Sequence, residues 1–297
     1  MQASHNHRTE IAPSELILNP DGSIYHLKLK PEHIGNDIIV VGDPGRVERI
    51  SRHFDAVEFK IQNREFVTHT GFYKGKKITA LATGIGTDNI DIVLNELDAL
   101  VNIDLKKRRV KEKLTSLNIV RLGTSGALQP DIPVDDAVIS AYGLGLDGML
   151  NYYEETGNVF DHKLSASFIT QTQWLKNLAY PYACRASEPL LKKIDKGYHK
   201  GITATAPGFY APQGRTLRLA PAMPDINTKL QHFAYEGMRI TNFEMETSAL
   251  YGLSALLGHQ AVTVCAVIAN RTIKAFSKDY KKTVDHLIEQ VLESLCA

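Results

Sequence analysis

Ile119-Val-Arg-Leu-Gly-Thr-Ser-Gly-Ala127 is a short apolar run with an arginine in its middle, opening into a Gly-Thr-Ser-Gly loop. Burying an unpaired guanidinium is costly, so a cation inside a strand pattern implies an anion waiting for it. Glycines at the strand end let backbone N–H groups and hydroxyls approach that anion closely. Arg121, Thr124 and Ser125 are therefore expected to form one wall of an oxyanion pocket. Alternatively, Arg121 pairs with a buried aspartate or glutamate and does nothing else.

On both sides of this stretch, short β-rich runs alternate with helical patterns. Strands are expected at 37–42, at 66–70 and 77–82 (a hairpin turning near Lys74-Gly75), and at 118–122, 137–142, 200–206, 238–243 and 261–269. Helical spacing runs from Asp88 to about Lys113, with a break near Asn102, and recurs at 168–179, 226–236, 244–257 and 277–295. Strands alternating with helices mean a mostly parallel sheet covered on both faces. No Pro/Gly/Ser-rich linker and no internal repeat divides the chain. Residues 23–297 are thus expected to form a single α/β domain with a central mixed, mostly parallel β-sheet flanked by helices. Residues 1–22, which lack a period, are expected to be a flexible leader. In such sheets ligands gather at the carboxyl ends of strands.

Composition narrows the function classes. A chain of 297 residues with 43% apolar side chains can bury a sizeable core. A net charge of +1 gives no electrostatic footprint for nucleic acid. The basic cluster Lys106-Lys107-Arg108-Arg109, with Lys111 and Lys113, is interrupted by Glu112 and reads as a solvated helix face. Cys184, Cys265 and Cys296 are odd in number and widely spaced, far from any metal-ligand pattern, which fits a reducing compartment. The first residues lack the apolar stretch of a signal peptide, and the longest apolar run, Ala261 to Ala269, is about half a membrane span. No nucleic-acid or membrane partner and a cytoplasmic location are expected.

Other strand ends carry chemistry of the same kind. In Val40-Val-Gly-Asp-Pro-Gly-Arg46 a strand ends at Gly42, and Arg46 falls in the first turn of the next helix, where anions are favoured. Arg64 in Asn63-Arg-Glu-Phe66 reads first as a surface salt bridge with Glu65 or another acid. Thr83-Gly-Ile-Gly-Thr-Asp-Asn89 opens a helix that Asp88 is placed to cap. In Thr205-Ala-Pro-Gly-Phe-Tyr-Ala-Pro-Gln-Gly-Arg215, Phe209 and Tyr210 offer stacking faces, Gln213 an amide and Arg215 a fork of donors. That set suits a planar heterocycle with an O–N–O edge; otherwise the tract is a Pro/Gly turn whose aromatics plug the core. Asn242-Phe-Glu-Met-Glu-Thr247 puts two carboxylates at a helix start, one to stay internal and the other to take a ligand such as a sugar diol. Asn270-Arg271 follows the last strand.

Taken in order, these segments resemble the nucleoside phosphorylase superfamily, and its uridine phosphorylase branch most of all. The likeness runs from Tyr25 to the C-terminal helix. It is carried by Tyr25-His-Leu27, Gly-Asp-Pro-x-Arg at 42–46, Arg-Glu-Phe at 64–66, Thr-Gly-Ile-Gly at 83–86, Arg-x-Gly-Thr-Ser-Gly at 121–126, Phe-Tyr-x-x-Gln-x-Arg at 209–215, Glu-Met-Glu at 244–246 and Asn-Arg at 270–271. The resemblance implies that Gly42, Arg46, Arg121 and Thr124 bind phosphate, with Arg64 given by a neighbouring subunit. It implies that Met245 and Glu246 hold the ribose, Glu246 on its 2′ and 3′ hydroxyls, and that His26 from the neighbour reaches the 5′ hydroxyl. Phe209 would then pack against the base, Gln213 and Arg215 would read its carbonyl and N3 edge, and Arg271 would support that edge from behind.

The resemblance further implies phosphorolysis of a pyrimidine ribonucleoside: uridine and phosphate give uracil and ribose 1-phosphate, for nucleoside salvage. Phosphate attacks the anomeric carbon through an oxocarbenium-like transition state, without protein nucleophile or metal, and Arg121, Gln213 and Arg215 are the catalytic set. A homodimer is the minimal active unit, and the stretch from Asn102 to Asn118, longer than in compact bacterial relatives, leaves a hexamer open. Some relatives hold a potassium ion near the counterpart of Glu65; here Thr87-Asp-Asn89 replaces their Gly-Pro-Ser, which argues against one. Purine phosphorylases of this kind carry an aspartate past the last strand, where Asn270-Arg271 stands, and nucleosidases lack the cluster Arg46, Arg64 and Arg121. A nucleoside-binding protein that has lost catalysis is the non-enzymatic alternative.

Overall fold

β1 (Asp37–Val41) shows why the central strands read as unbroken apolar runs. Ile38 and Val40 point into one core and Ile39 and Val41 into another, and none of the four is measurably exposed beyond 1%. A strand buried on both faces has no polar side to alternate with. The computed structural model describes residues 9–297.

From β1 the chain enters α1 (Pro44–Ser51), then the meander β2 (Ala56–Asn63), β3 (Phe66–Tyr73) and β4 (Lys76–Ala82), and α2 (Thr87–Asn102). A two-stranded ribbon, β5 (Ile103–Asp104) and β6 (Arg109–Val110), precedes the long strands β7 (Asn118–Ala127) and β8 (Ala137–Gly145). Next come α3 (His162–Thr172), β9 (Tyr182–Arg185), α4 (Glu188–Ile194) and β10 (His199–Thr205). After α5 (Ile226–His232), β11 (Ala234–Tyr235) and β12 (Met238–Glu244), the chain finishes with α6 (Thr247–Leu257), β13 (Gln260–Asn270), β14 (Ala275–Phe276) and α7 (Tyr280–Cys296).

The sheet is mixed. β4, β1, β7 and β13 run parallel at its centre, as do β8, β10 and β12, while β2, β3, β9, β11 and β14 join antiparallel at the margins. β13 joins the two parallel groups by pairing antiparallel with β8. The far end of β7 leaves β1 and pairs with β12, Gly126 opposite Phe243 and Ala127 opposite Asn242. β12, β10, β8, β13 and β7 thereby close into a ring, and bulges at Gly201/Ile202 and Val267/Ala269 provide the bending. α2 and α6 cover one face, with Leu94, Leu97, Leu250 and Leu253 in the first core; α1, α4 and α7 cover the other through Val47, Leu190, Ile288 and Val291.

Several expectations are corrected here. Gly-Thr-Ser-Gly is strand rather than loop, because closing the ring keeps β7 paired through Ala127. The break expected near Asn102 ends the helix there, and helical structure does not resume toward Lys113: the Asn102 side chain accepts from Thr115 N at 2.7 Å and donates to Thr115 O at 3.1 Å, folding the chain back. The basic cluster is consequently a ribbon turn, not a helix face, with Asp104 accepting from Lys106 N and Lys107 N. The leader is packed from Ile11 onward: Leu16 is buried, Leu18 bridges to Ile24, and Arg108 donates to Ile11 O, Ala12 O and Leu16 O. Residues 1–8 of the expected leader lie outside the described residues. The helix expected at 168–179 is His162–Thr172, capped by Asp161 on Leu164 N at 2.9 Å and stopped at Gln173 with φ 51°.

Candidate active site

The end of β1 and the start of α1 build the first wall. Asp43 accepts from Gly45 N at 2.9 Å and caps α1, Pro44 supplies a preset φ, and Arg46 follows in the first turn. Arg46 Nη1 donates to Leu122 O at 3.1 Å, and no carboxylate pairs with it among the described residues. Burial, and then the nearby Arg121, pull its guanidinium below the ordinary arginine value. A half-buried cation in this state gains from a bound anion.

Arg121 projects from β7 against Gly123, and there glycine is required. A Cβ at 123 would lie 2.1 Å from Arg121 Nη1 and 2.7 Å from Cys265 Sγ. Arg121 Nη1 lies 3.2 Å from Glu244 Oε2 and donates to Cys265 Sγ at 3.3 Å, while Nη2 donates to Glu246 Oε2. The alternative in which Arg121 meets a buried acid is therefore realised twice over, yet the residue still lines a cavity. Burial opposes the charge, but Glu246 and then Glu244 outweigh it and hold the guanidinium above its ordinary value.

The β12–α6 junction supplies the carboxylates. Glu244 is internal: it accepts from Thr205 Oγ1 at 2.7 Å and from the backbone N–H groups of Glu246 and Thr247 at 2.9 Å. Glu246 turns toward the cavity, with Oε1 accepting from Gly86 N at 2.8 Å and Oε2 held by Arg121. Gly84 and Gly86 have φ of 74° and 101°, which bring this loop's backbone close to Glu246. Asp88 does not cap α2 as expected; Gly86 occupies the cap position and Asp88 stands exposed in the first turn. Met245 lines the cavity beside Glu246.

The loop before α5 forms the third wall. Arg215 sits over the Phe209 ring, its guanidinium carbon 3.6 Å from the centroid, and donates to Gln213 Oε1 at 2.8 Å. Arg271 donates to the same oxygen at 2.9 Å, and also to Gln213 O. With its carbonyl so engaged, Gln213 keeps both amide hydrogens free of protein partners among the described residues. Burial and the neighbouring Arg215 lower Arg271 to about 10. Phe209 and Tyr210 are 51% and 55% exposed, so these aromatics do not plug a core.

These walls enclose a cavity of about 290 Å³. Gly42, Arg46, Arg121, Thr124, Met245, Glu246, Phe209, Gln213 and Arg215 all line it. Arg271 stands behind Gln213 and outside the lining. Ser125, Ile85, Ile268 and Phe276 also line it; the last three lack any polar signature a sequence could show. Ser125 Oγ is buried with no hydrogen-bond partner, as the strand-end glycines foreshadow. His26 and Arg64 sit elsewhere, together. Arg64, at φ 53° in the β2–β3 turn, donates to Tyr25 OH at 3.4 Å, and Asn63 Nδ2 donates to His26 O at 2.8 Å. No carboxylate pairs with Arg64 among the described residues, so the salt bridge expected with Glu65 does not form.

Comparison with known proteins follows the same lines. A uridine phosphorylase of Thermococcus kodakarensis is 33% identical over 88% of this chain and 83% of its own length. One of Haemophilus influenzae is 30% identical, with 84% and 87% covered. Among solved structures, a Trypanosoma brucei nucleoside phosphorylase described as showing uridine phosphorylase activity superposes with a TM-score of 0.84 and 31% identity, over 95% of this chain and 99% of that one. The family model described as "Phosphorylase superfamily" matches residues 37–295, a span holding every wall of the cavity. The chain belongs to the phosphorylase superfamily.

Proposed function

We propose that this protein is a pentosyltransferase that cleaves a pyrimidine nucleoside, uridine foremost, with inorganic phosphate, giving the free base and ribose 1-phosphate. One observation carries this: a half-buried arginine without a carboxylate partner, a glutamate and an aromatic-backed Gln–Arg pair share one cavity. Arg46, Arg121, Thr124 and the Gly42 backbone seat phosphate. Glu246 takes the 2′ and 3′ hydroxyls beside Met245. Phe209 packs on the base while the free amide hydrogens of Gln213 and the guanidinium of Arg215 donate to its carbonyls. The anion on one side stabilises the cationic sugar, and Arg215 stabilises charge growing on the departing base.

Arg64 and His26 belong to a second copy's site in this proposal, which their place outside the cavity lining supports. The minimal active unit is then a homodimer. No helix of the described residues is long and apolar enough to cross a membrane, and the three cysteines are free, which favours the cytoplasm. A purine phosphorylase is disfavoured because Asn270 Nδ2 is committed to Gln129 O and Ile132 O at 2.8 and 2.7 Å. The test is initial-rate base release from uridine, thymidine, cytidine, inosine and adenosine, with and without phosphate. Phosphate-dependent release led by uridine is expected; equal rates without phosphate, or preference for inosine or adenosine, would overturn the proposal.

A further inference from the structure

Glu96, on the face of α2 that carries Val93 and Leu97 into the core, lies outside the cavity and is engaged by the Tyr25–Leu27 segment. Its Oε1 accepts from His26 N at 2.9 Å and lies 2.7 Å from His26 Nδ1; its Oε2 accepts from Leu27 N at 2.8 Å. The Glu96 side chain is 12% exposed and that of His26 28%. Asn63 Nδ2 fixes the His26 carbonyl from the other side, and Tyr25 stacks edge-on at 4.7 Å. His26 Nε2 has no hydrogen-bond partner among the described residues.

An ionised carboxylate only accepts hydrogen bonds, so the proton of neutral His26 sits on Nδ1 and Nε2 presents a lone pair. We propose that Glu96 is the positioning residue that fixes this tautomer, so that His26 meets its ligand as an acceptor and selects a sugar ending in a free hydroxyl. A sugar terminus with no hydrogen to donate, whether deoxy or alkylated, is discriminated against. This rests on the reading that His26 meets the 5′ end of the nucleoside. Glu96→Gln is nearly isosteric and separates orientation from packing. Its oxygen is claimed by the backbone N–H groups, so its amide donates to Nδ1 and moves the histidine proton to Nε2.

Two measurements test the proposal. The first is the ratio of kcat/KM for uridine to that for 5′-deoxyuridine in the wild type, His26→Ala and Glu96→Gln. The second is the tautomer of His26, from imidazole nitrogen NMR at a pH where the ring is neutral. In the wild type the Nδ1–H form is expected. Glu96→Gln should show the Nε2–H form and a ratio about five- to tenfold lower, through the KM for uridine, as for loss of one hydrogen bond. If His26→Ala collapses the ratio while Glu96→Gln leaves ratio and tautomer unchanged, Glu96 has no such role. If His26→Ala leaves the ratio intact, the reading of the 5′ end fails and takes the selectivity with it. A wild-type His26 in the Nε2–H form overturns the tautomer assignment without recourse to any variant.

Discussion

Arg215 shows how much chemistry one side chain can carry here. It stacks on Phe209 at 3.6 Å, shares the Gln213 carbonyl with Arg271, and lines the cavity in which, under the proposed function, a leaving base would gain charge. Removing one preorganised donor of this kind typically costs roughly 10²–10³ in turnover. Arg215→Ala should therefore lose kcat on that scale with the fold intact, read by steady-state kinetics and circular dichroism; kcat near the wild-type value would remove Arg215 from the leaving-group role. The residues of the cavity were legible in sequence through the ordered set of motifs that resembles the nucleoside phosphorylases; taken singly, the arginines and glycines at strand ends also had plain structural readings. Their partners were not: nothing in Ile119–Ala127 shows that Arg121 meets both Glu244 and Glu246, since the three converge only when the ring closes.

At the level of elements, the joint between β8, β9 and α6 holds a half-buried carboxylate that supports the site from outside it. Asp147, two residues past β8, accepts from Met149 N at 2.7 Å, Tyr182 OH at 2.8 Å and Ser248 Oγ at 3.0 Å. Ser248 N donates to Thr205 Oγ1 at 3.0 Å, and Thr205 in turn donates to Glu244 at 2.7 Å. Burial is the main influence on Asp147 and raises its pKa above the ordinary value, so the folded protein binds the proton more tightly than the unfolded chain. Stability should then fall as pH climbs from the unfolded aspartate pKa, about 3.9, through the higher folded pKa, and stay level beyond it. Asp147→Asn should abolish that decline in urea unfolding as pH rises above about pH 4, the unfolded aspartate pKa; an unchanged slope would show that Asp147 does not cause it. Long periodic elements such as α2 and α7 announced themselves in sequence. β9 and α4 are too short to show a period, and the ribbon after α2 is built by the side chain of Asn102 rather than by any pattern.

At the scale of the whole molecule, the cavity and the Tyr25, His26 and Arg64 cluster are separate features of one chain. A symmetric dimer would bring each cluster to the other subunit's cavity. In such a dimer Arg46→Ala would damage a subunit's own cavity and Arg64→Ala only what it gives to its partner. Co-refolding the two inactive variants should restore about a quarter of wild-type activity, because half of the dimers are mixed and each carries one intact site. Activity no higher than the average of the two parents would mean that sites are not shared. The α/β class was plain from alternating strands and helices. The closed ring was not, because it depends on one strand changing partners near Gly126, a contact between residues far apart in the chain.

Phosphorus NMR of the wild-type protein with uridine and inorganic phosphate tests the central claim most directly. The phosphate signal should convert to ribose 1-phosphate in step with uracil release, one for one. Uracil released while the phosphate signal stays unchanged, or no uracil at all, would contradict it.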